Sequence, residues 1–157
     1  MNGKLVGGFI VIVAVAAAVA VYWTQEYAYY HDVVFNPGSE ITLTLIDSDI
    51  AEPILAENIK GIDADSSPLR FRACFTTPMS LGMLTETYRA YEGAEPTIAP
   101  GWFDCFDAEA IGTALEKGEA VAFLSQSNIV PDFDRVVAVF PDGRAYAWHQ
   151  ISPDMEQ

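Results

Sequence analysis

The chain has 157 residues, 51% of them hydrophobic, yet carries a net charge of −14. That length allows one domain of ordinary size and a short extra segment, and excludes two full domains. All 22 Asp and Glu lie beyond Trp23, with seven of the eight Lys and Arg, so that part carries 7 − 22 = −15; such a surface repels nucleic acid and anionic lipid head groups and attracts basic partners.

Residues 1–4 form a short stub that contains Lys4. Leu5–Trp23 has no charge and almost no polar group. As a helix it is about 28 Å long, close to the roughly 30 Å of a bilayer's hydrocarbon core. Tyr22 and Trp23 close it, with Tyr27 and Tyr30 just beyond, and amphipathic rings collect at a membrane interface. The cations lie on the entry side and Glu26 and Asp32 beyond the exit, so the positive-inside rule puts the N-terminus in the cytoplasm. The rival reading is a cleaved signal peptide ending near Ala18-Val19-Ala20. The apolar run exceeds the about 7–15 residues of a signal core, which favours a retained anchor. Gly7, Gly8, Ala14 and Ala18 belong to an unusually small-residue span, which reads as a face for packing against other membrane helices; the alternative is a generic alanine-rich anchor.

Residues 24–39 read as a juxtamembrane connector, with a turn at Asn36-Pro37-Gly38. The domain then spans 40–152, with a polar tail over 153–157. Ile41–Leu45 alternates apolar residues with threonines, the pattern of a half-buried strand. Asp47–Glu52 reads as a turn, and Glu57–Ile62 as a weak strand. Leu69–Phe75 predicts a strand with Leu69, Phe71, Ala73 and Phe75 on one face and Arg70, Arg72 and Cys74 on the other. Ser80–Tyr91 predicts a short helix, and Gly93–Gly101 an irregular loop. Ala108–Lys117 is the clearest helix, with Asp107 as N-cap and Gly118 just past its end. Glu119–Gln126 follows as a strand, then a hairpin of Arg135–Phe140 and Arg144–Ile151 about a Pro141-Asp142-Gly143 turn. The expected architecture is α+β: one N-terminal transmembrane helix, then a small, mainly antiparallel sheet of about five strands with one or two helices.

The two cysteines, Cys74 and Cys105, are too few for a zinc site and fit one disulfide in an oxidising compartment. The bond would clamp helix to sheet. The competing reading, a redox-active pair activated by Arg70 and Arg72, lacks the Cys-x-x-Cys spacing. His31 and His149 read as solvated or interface histidines. Acidic pairs in turns make at best a weak cation site, and no nucleotide, hydrolase or calcium motif is present. Trp102 and Phe103, beside Cys105, read either as a partner contact or as a small core around the bridge.

The opening Met1-Asn2-Gly3-Lys4 with its apolar run, the Tyr-Trp-Thr-Gln-Glu-Tyr-Ala-Tyr-Tyr exit, and Cys74 followed by Trp102-Phe103-Asp104-Cys105-Phe106 resemble an uncharacterised family of small single-span proteins from alphaproteobacteria. The resemblance implies an inner-membrane anchor with a periplasmic domain and transfers no activity. The resulting expectation is a non-catalytic accessory or assembly subunit without a cofactor. Its partners would be other integral membrane subunits and a basic soluble electron carrier such as a cytochrome c, steered by the acidic domain. A free-standing periplasmic binding or sensor module, and least of all an envelope thiol–disulfide protein, are the alternatives.

Overall fold

The computed structural model describes residues 2–36 and 41–153. It divides into two compact units, residues 1–30 and 31–157. The first holds α1 (Gly3–Glu26), a single 24-residue helix with no residue buried against its own chain. It is long and apolar enough to cross a membrane. The helix outruns the purely apolar stretch at both ends, because Thr24-Gln25-Glu26 continue it and Thr24 Oγ1 donates to Val21 O at 2.9 Å. Gly7, Ala14 and Ala18 stand at i, i+7 and i+11, so they share one face, with Gly8 about 100° round from them.

The second unit is α+β. Its six-stranded sheet runs β1 (Tyr30–Asp32), β4 (Glu57–Ala64), β5 (Arg72–Thr76), β8 (Arg144–Ile151), β7 (Phe133–Val139), β6 (Val121–Val130), and a separate ribbon pairs β2 (Thr42–Thr44) with β3 (Ala51–Pro53). Among the described residues there are eight strands, where about five were expected. One of them, β1, lies in the segment read as connector, and Pro37 and Gly38 of the expected turn fall outside the described residues. The β4–β5, β5–β8, β7–β8 and β6–β7 pairings are all antiparallel.

Both faces of the sheet are covered, so apolar residues appear at successive positions in its central strands. On one face Ala73, Phe75, Phe123, Val137, Val139, Ala145 and Ala147 meet Ile41, Leu43 and Ile54 of the ribbon region and Leu84 of α2 (Leu81–Thr87). The ribbon strand is buried on both sides at Thr44, whose hydroxyl donates to Ser125 O at 3.0 Å and so satisfies a group that half-burial would have left to water. Two glycines make this layer possible. The Phe35 ring lies 2.6 Å from where a Cβ on Gly61 would stand, and Gly143 turns the β7–β8 hairpin at φ +90° with Thr77 O 2.6 Å from its own missing Cβ.

The opposite face carries Cys74, Leu124, Val136, Ala138, Tyr146 and Trp148, roofed by α3 (Ala108–Glu116) and the loop before it. Asp107 caps α3 as expected, accepting from Ala110 N at 3.0 Å. Ile111 and Ala114 are its buried side chains. Fully burying a residue such as Ile111 contributes about 1.5–3 kcal/mol, which helps such a short helix hold its place.

Two sequence expectations require correction. Ser67-Pro68 starts a 3₁₀ turn over Pro68–Arg70, Pro68 being suited to its first position, so β5 begins only at Arg72 and Arg70 does not share a strand face with Cys74. The helix read over Ser80–Tyr91 stops at Thr87. Beyond it the backbone leaves the helical region and bridges Leu45–Tyr88 and Ala90–Phe123 carry the chain along the ribbon and β6.

Candidate functional site

Cys74 in β5 and Cys105 just before α3 are joined by a disulfide, with Cα atoms 6.3 Å apart and a sequence separation of 31. The bond pins the loop that leads into α3 to the centre of the sheet. Chain entropy gives such a closure about 3.5–4 kcal/mol, a large part of the about 5–15 kcal/mol of a small domain. The flanking aromatics separate by role. Phe103 and Phe106 are buried, and Phe106 meets Tyr146 and Trp148 edge to face at 5.9 and 6.3 Å. Phe103 is therefore core rather than a surface knob, whereas Trp102 stays 39% exposed. The arginine read as a thiolate activator has another task. Arg72 is buried and spends its guanidinium on four carbonyls: Leu69 O and Phe71 O at 2.6 Å, Thr97 O at 2.8 Å and Ile98 O at 3.0 Å.

A second buried polar group fastens the same loop. Gln150 Oε1 accepts from Glu95 N at 2.9 Å and from Trp148 Nε1 at 3.0 Å, while Nε2 donates to Gly93 O at 3.0 Å. Arg72 and Gln150 thus hold residues 93–98 against the sheet face without help from secondary structure. Between this loop, α3 and the start of β6 lies a cleft of about 720 Å³.

His149 is also buried, not solvated as its sequence context suggested. It lies across the ladder from Arg135, whose Nε–H donates to His149 Nε2 at 3.0 Å. A guanidinium only donates, so Nε2 is a lone pair, and the proton sits on Nδ1 and is donated to Pro68 O at 2.7 Å. The imidazole stacks on Phe71 at 4.6 Å, and the Arg135 guanidinium lies over the same ring at 4.0 Å. Burial, then the Arg135 charge and more weakly that of Arg72, push the His149 pKa down to about 4 against the pull of Pro68 O. Burial also lowers Arg135, and Asp63 on β4 partly offsets this.

A further buried polar pairing is that of Asp134. Its carboxylate accepts from Tyr91 Oη at 2.9 Å and Asn128 N at 3.0 Å, which fixes the irregular half of β6 where pairing with β7 slips. Among the described residues no group of three or more His, Cys, Asp or Glu side chains is placed to hold a metal ion. His31 is exposed on β1, and His149 has both ring nitrogens engaged.

Of the sequence-selected residues, Cys74 and Cys105 are joined covalently. Gly7, Gly8, Ala14, Ala18, Tyr22 and Trp23 lie on α1, all exposed along the helix, and Tyr27 stacks on Trp23 at 5.0 Å. Tyr30 opens β1. Sequence reading missed Arg72, His149 and Gln150 as buried groups. The signal was present: each stands in or beside a run of apolar residues in a strand with both faces covered.

Comparison with curated proteins and with solved structures gives no match. A family model does match, over residues 41–157, which begins after the apolar helix and takes in the ribbon, every strand of the sheet but β1, both cysteines and α3. With three quarters of its length inside that match, the chain belongs to DUF6446, a family of unknown function.

Proposed function

We propose that this protein is a non-catalytic, single-span accessory or assembly subunit of a larger inner-membrane complex of an alphaproteobacterium. Its N-terminus is cytoplasmic and its domain periplasmic. The observation that carries the reading is α1, a 24-residue apolar helix with no residue buried against its own chain, followed by a stretch beyond Trp23 that carries a charge of −15. A helix that only anchors needs no small residues. The stripe of Gly7, Ala14 and Ala18, with open space at the Cβ position of Gly7 and Gly8, is what close approach of a second helix requires. The disulfide supports an oxidising compartment.

The charge exceeds the magnitude of about 2–8 that keeps a small domain soluble. It supports a second partner, a basic soluble electron carrier such as a cytochrome c, and hence a respiratory or photosynthetic electron-transfer complex as host. Exposed carboxylates raise the encounter rate of such a carrier, an effect that fades as salt shortens the screening length to about 10 Å at 0.1 M.

The test is purification of the native chain in mild detergent, with mass spectrometry of what accompanies it. Integral membrane subunits are expected, and they should be lost when Gly7, Gly8 and Ala14 are replaced by Leu while the domain stays folded. Recovery of the chain alone would favour a free-standing periplasmic binding module. A reporter fused after Gln157 should be active only outside the cytoplasm, and turnover of the host with its carrier should fall at low salt when this subunit is absent.

A further inference from the structure

One end of the sheet carries a polar row across its strands. His149 of β8 stands opposite Arg135 of β7, Gln126 of β6 pairs with Arg135 on its other side, and Asp63 of β4 lies one place past the Ile62–Arg72 pair, beside Phe71. The row is held unequally. His149 is engaged at both ring nitrogens, whereas the Nε–H given to His149 is the only hydrogen bond the Arg135 side chain makes among the described residues. Arg135 is also partly exposed, while His149 and Phe71 are 4% and 1% exposed. A proton and Arg135 compete for one lone pair, because Nε2 cannot accept from Arg135 once it carries hydrogen. The Nδ1–H bond to Pro68 O survives that change, so the ring keeps its anchor and Arg135 loses its only bond. The charged groups of the packed elements favour the separation. Arg72 of β5 acts on the ring as a second cation, the 3₁₀ turn carries Arg70, Gln126 is neutral, and Asp63 acts on Arg135. Asp63 is in no ion pair with a Lys or Arg of the described residues, so a displaced Arg135 has a carboxylate to move toward.

We propose that the Arg135–His149 contact is an acid-operated latch: on taking a proton His149 releases Arg135 from the Phe71 ring while the sheet stays paired. Acid then puts a guanidinium out to solvent and uncovers an apolar ring in a domain that is still folded. The latch is distinct from a general loss of stability in acid, because only the row opens, and it does not depend on which complex the protein serves. It has the two arrangements a switch needs, and the proton binds one of them better. The ring's pKa of about 4 in place and about 6.5 when free bounds the effect: between pH 7 and pH 5 the ratio of open to closed row rises about twentyfold.

The test uses the full chain, labelled with ¹⁵N and ¹³C, in zwitterionic detergent micelles at pH 7, 6 and 5 with the disulfide intact. A neutral, soluble gadolinium chelate reports exposure of the Phe71 ring protons, the His149 ring nitrogens report its charge, and the backbone amides report the fold. Paramagnetic relaxation of the Phe71 ring should rise about twentyfold from pH 7 to pH 5 while the amide spectrum keeps its dispersion. His149→Gln leaves Arg135 an acceptor that takes no proton, and should keep Phe71 shielded at all three pH values. Arg135→Ala removes the cover, so Phe71 should be equally exposed at every pH, and the His149 midpoint should rise as its nearest listed cation in the hydrogen bond is lost. Should one variant fail to fold, the other decides. Three results would overturn the proposal: a Phe71 ring still shielded at pH 5, exposure that appears only as the amide dispersion collapses, or the same acid exposure in His149→Gln. A His149 midpoint unmoved by Arg135→Ala would do so too.

Discussion

His149 makes the stability of this domain depend on acidity in a way that one substitution should erase. The folded ring titrates near 4 and the unfolded one near 6.5, so between these values the unfolded chain holds the extra proton. Stability therefore rises with pH through that window: the contribution is complete above about 6.5 and is lost as the medium falls toward 4. Between pH 7 and pH 5 the two constants imply a loss of about 2 kcal/mol. The structural reason is direct, since protonating Nε2 removes the acceptor of Arg135 and places a second cation 3.0 Å from its Nε, with Arg72 also acting on the ring. His149→Gln offers a carbonyl to Arg135 and an N–H to Pro68 O without titrating. Urea unfolding of the full chain in detergent, at pH 5, 6 and 7 with the disulfide intact, should show the two proteins converging as the pH falls. Other carboxylates cancel in the comparison. Curves that stay parallel to within about 0.5 kcal/mol would refute both the tautomer and the buried charge assignment.

Three further outcomes follow from the other buried groups and one from an exposed ion pair. Arg72→Met removes the donors to four carbonyls and should cost about 3 kcal/mol or more, with amide exchange accelerating first in residues 93–101. Replacing Cys74 and Cys105 together by Ala should cost about 3.5–4 kcal/mol by urea unfolding, and alkylation of the native protein without reductant should find no free thiol. Tyr91→Phe leaves one oxygen of the buried Asp134 without its partner and should cost about 1–2 kcal/mol, whereas Asp49→Asn, breaking an exposed ion pair with Arg89, should change stability by less than about 0.5 kcal/mol.

The sequence was most legible where one local rule acts alone. Asp107 caps its helix because a carboxylate three residues before a free amide suits that end, and Asp142-Gly143 turns its hairpin because glycine takes the positive φ. The long apolar helix is legible for the same reason. Legibility failed where two faces or two elements compete. β4 was read correctly, but only as a weak strand over Glu57–Ile62, because Glu57-Asn58-Ile59-Lys60-Gly61 hides its alternation: Asn58 has positive φ, the register slips between Glu57 and Lys60, and Gly61 is selected by the Phe35 ring rather than by strand preference. His149 looked solvated because nothing near it in the chain announces Arg135, Pro68 or Phe71, which come from 14, 81 and 78 residues away. The cleft was invisible for a related reason: its walls come from three separate stretches, and the loop among them is held by Arg72 and Gln150, both distant in the chain.

The order of strands in the sheet has a consequence for how the protein is made. β1, β4 and β5 form one half, β6, β7 and β8 the other, and the join between them is the β5–β8 pairing from Arg72–Trp148 to Thr76–Arg144. A ribosome delivers the first half early, but its inner edge stays open until the strand ending at Ile151 arrives, some seventy residues after its partner. Loop closure over that distance is slow, and an open edge invites wrong pairings in the meantime. By then α1 has long since emerged. The domain is therefore still an unfinished sheet well after that helix is made, and it locks only when its final strand is laid in place.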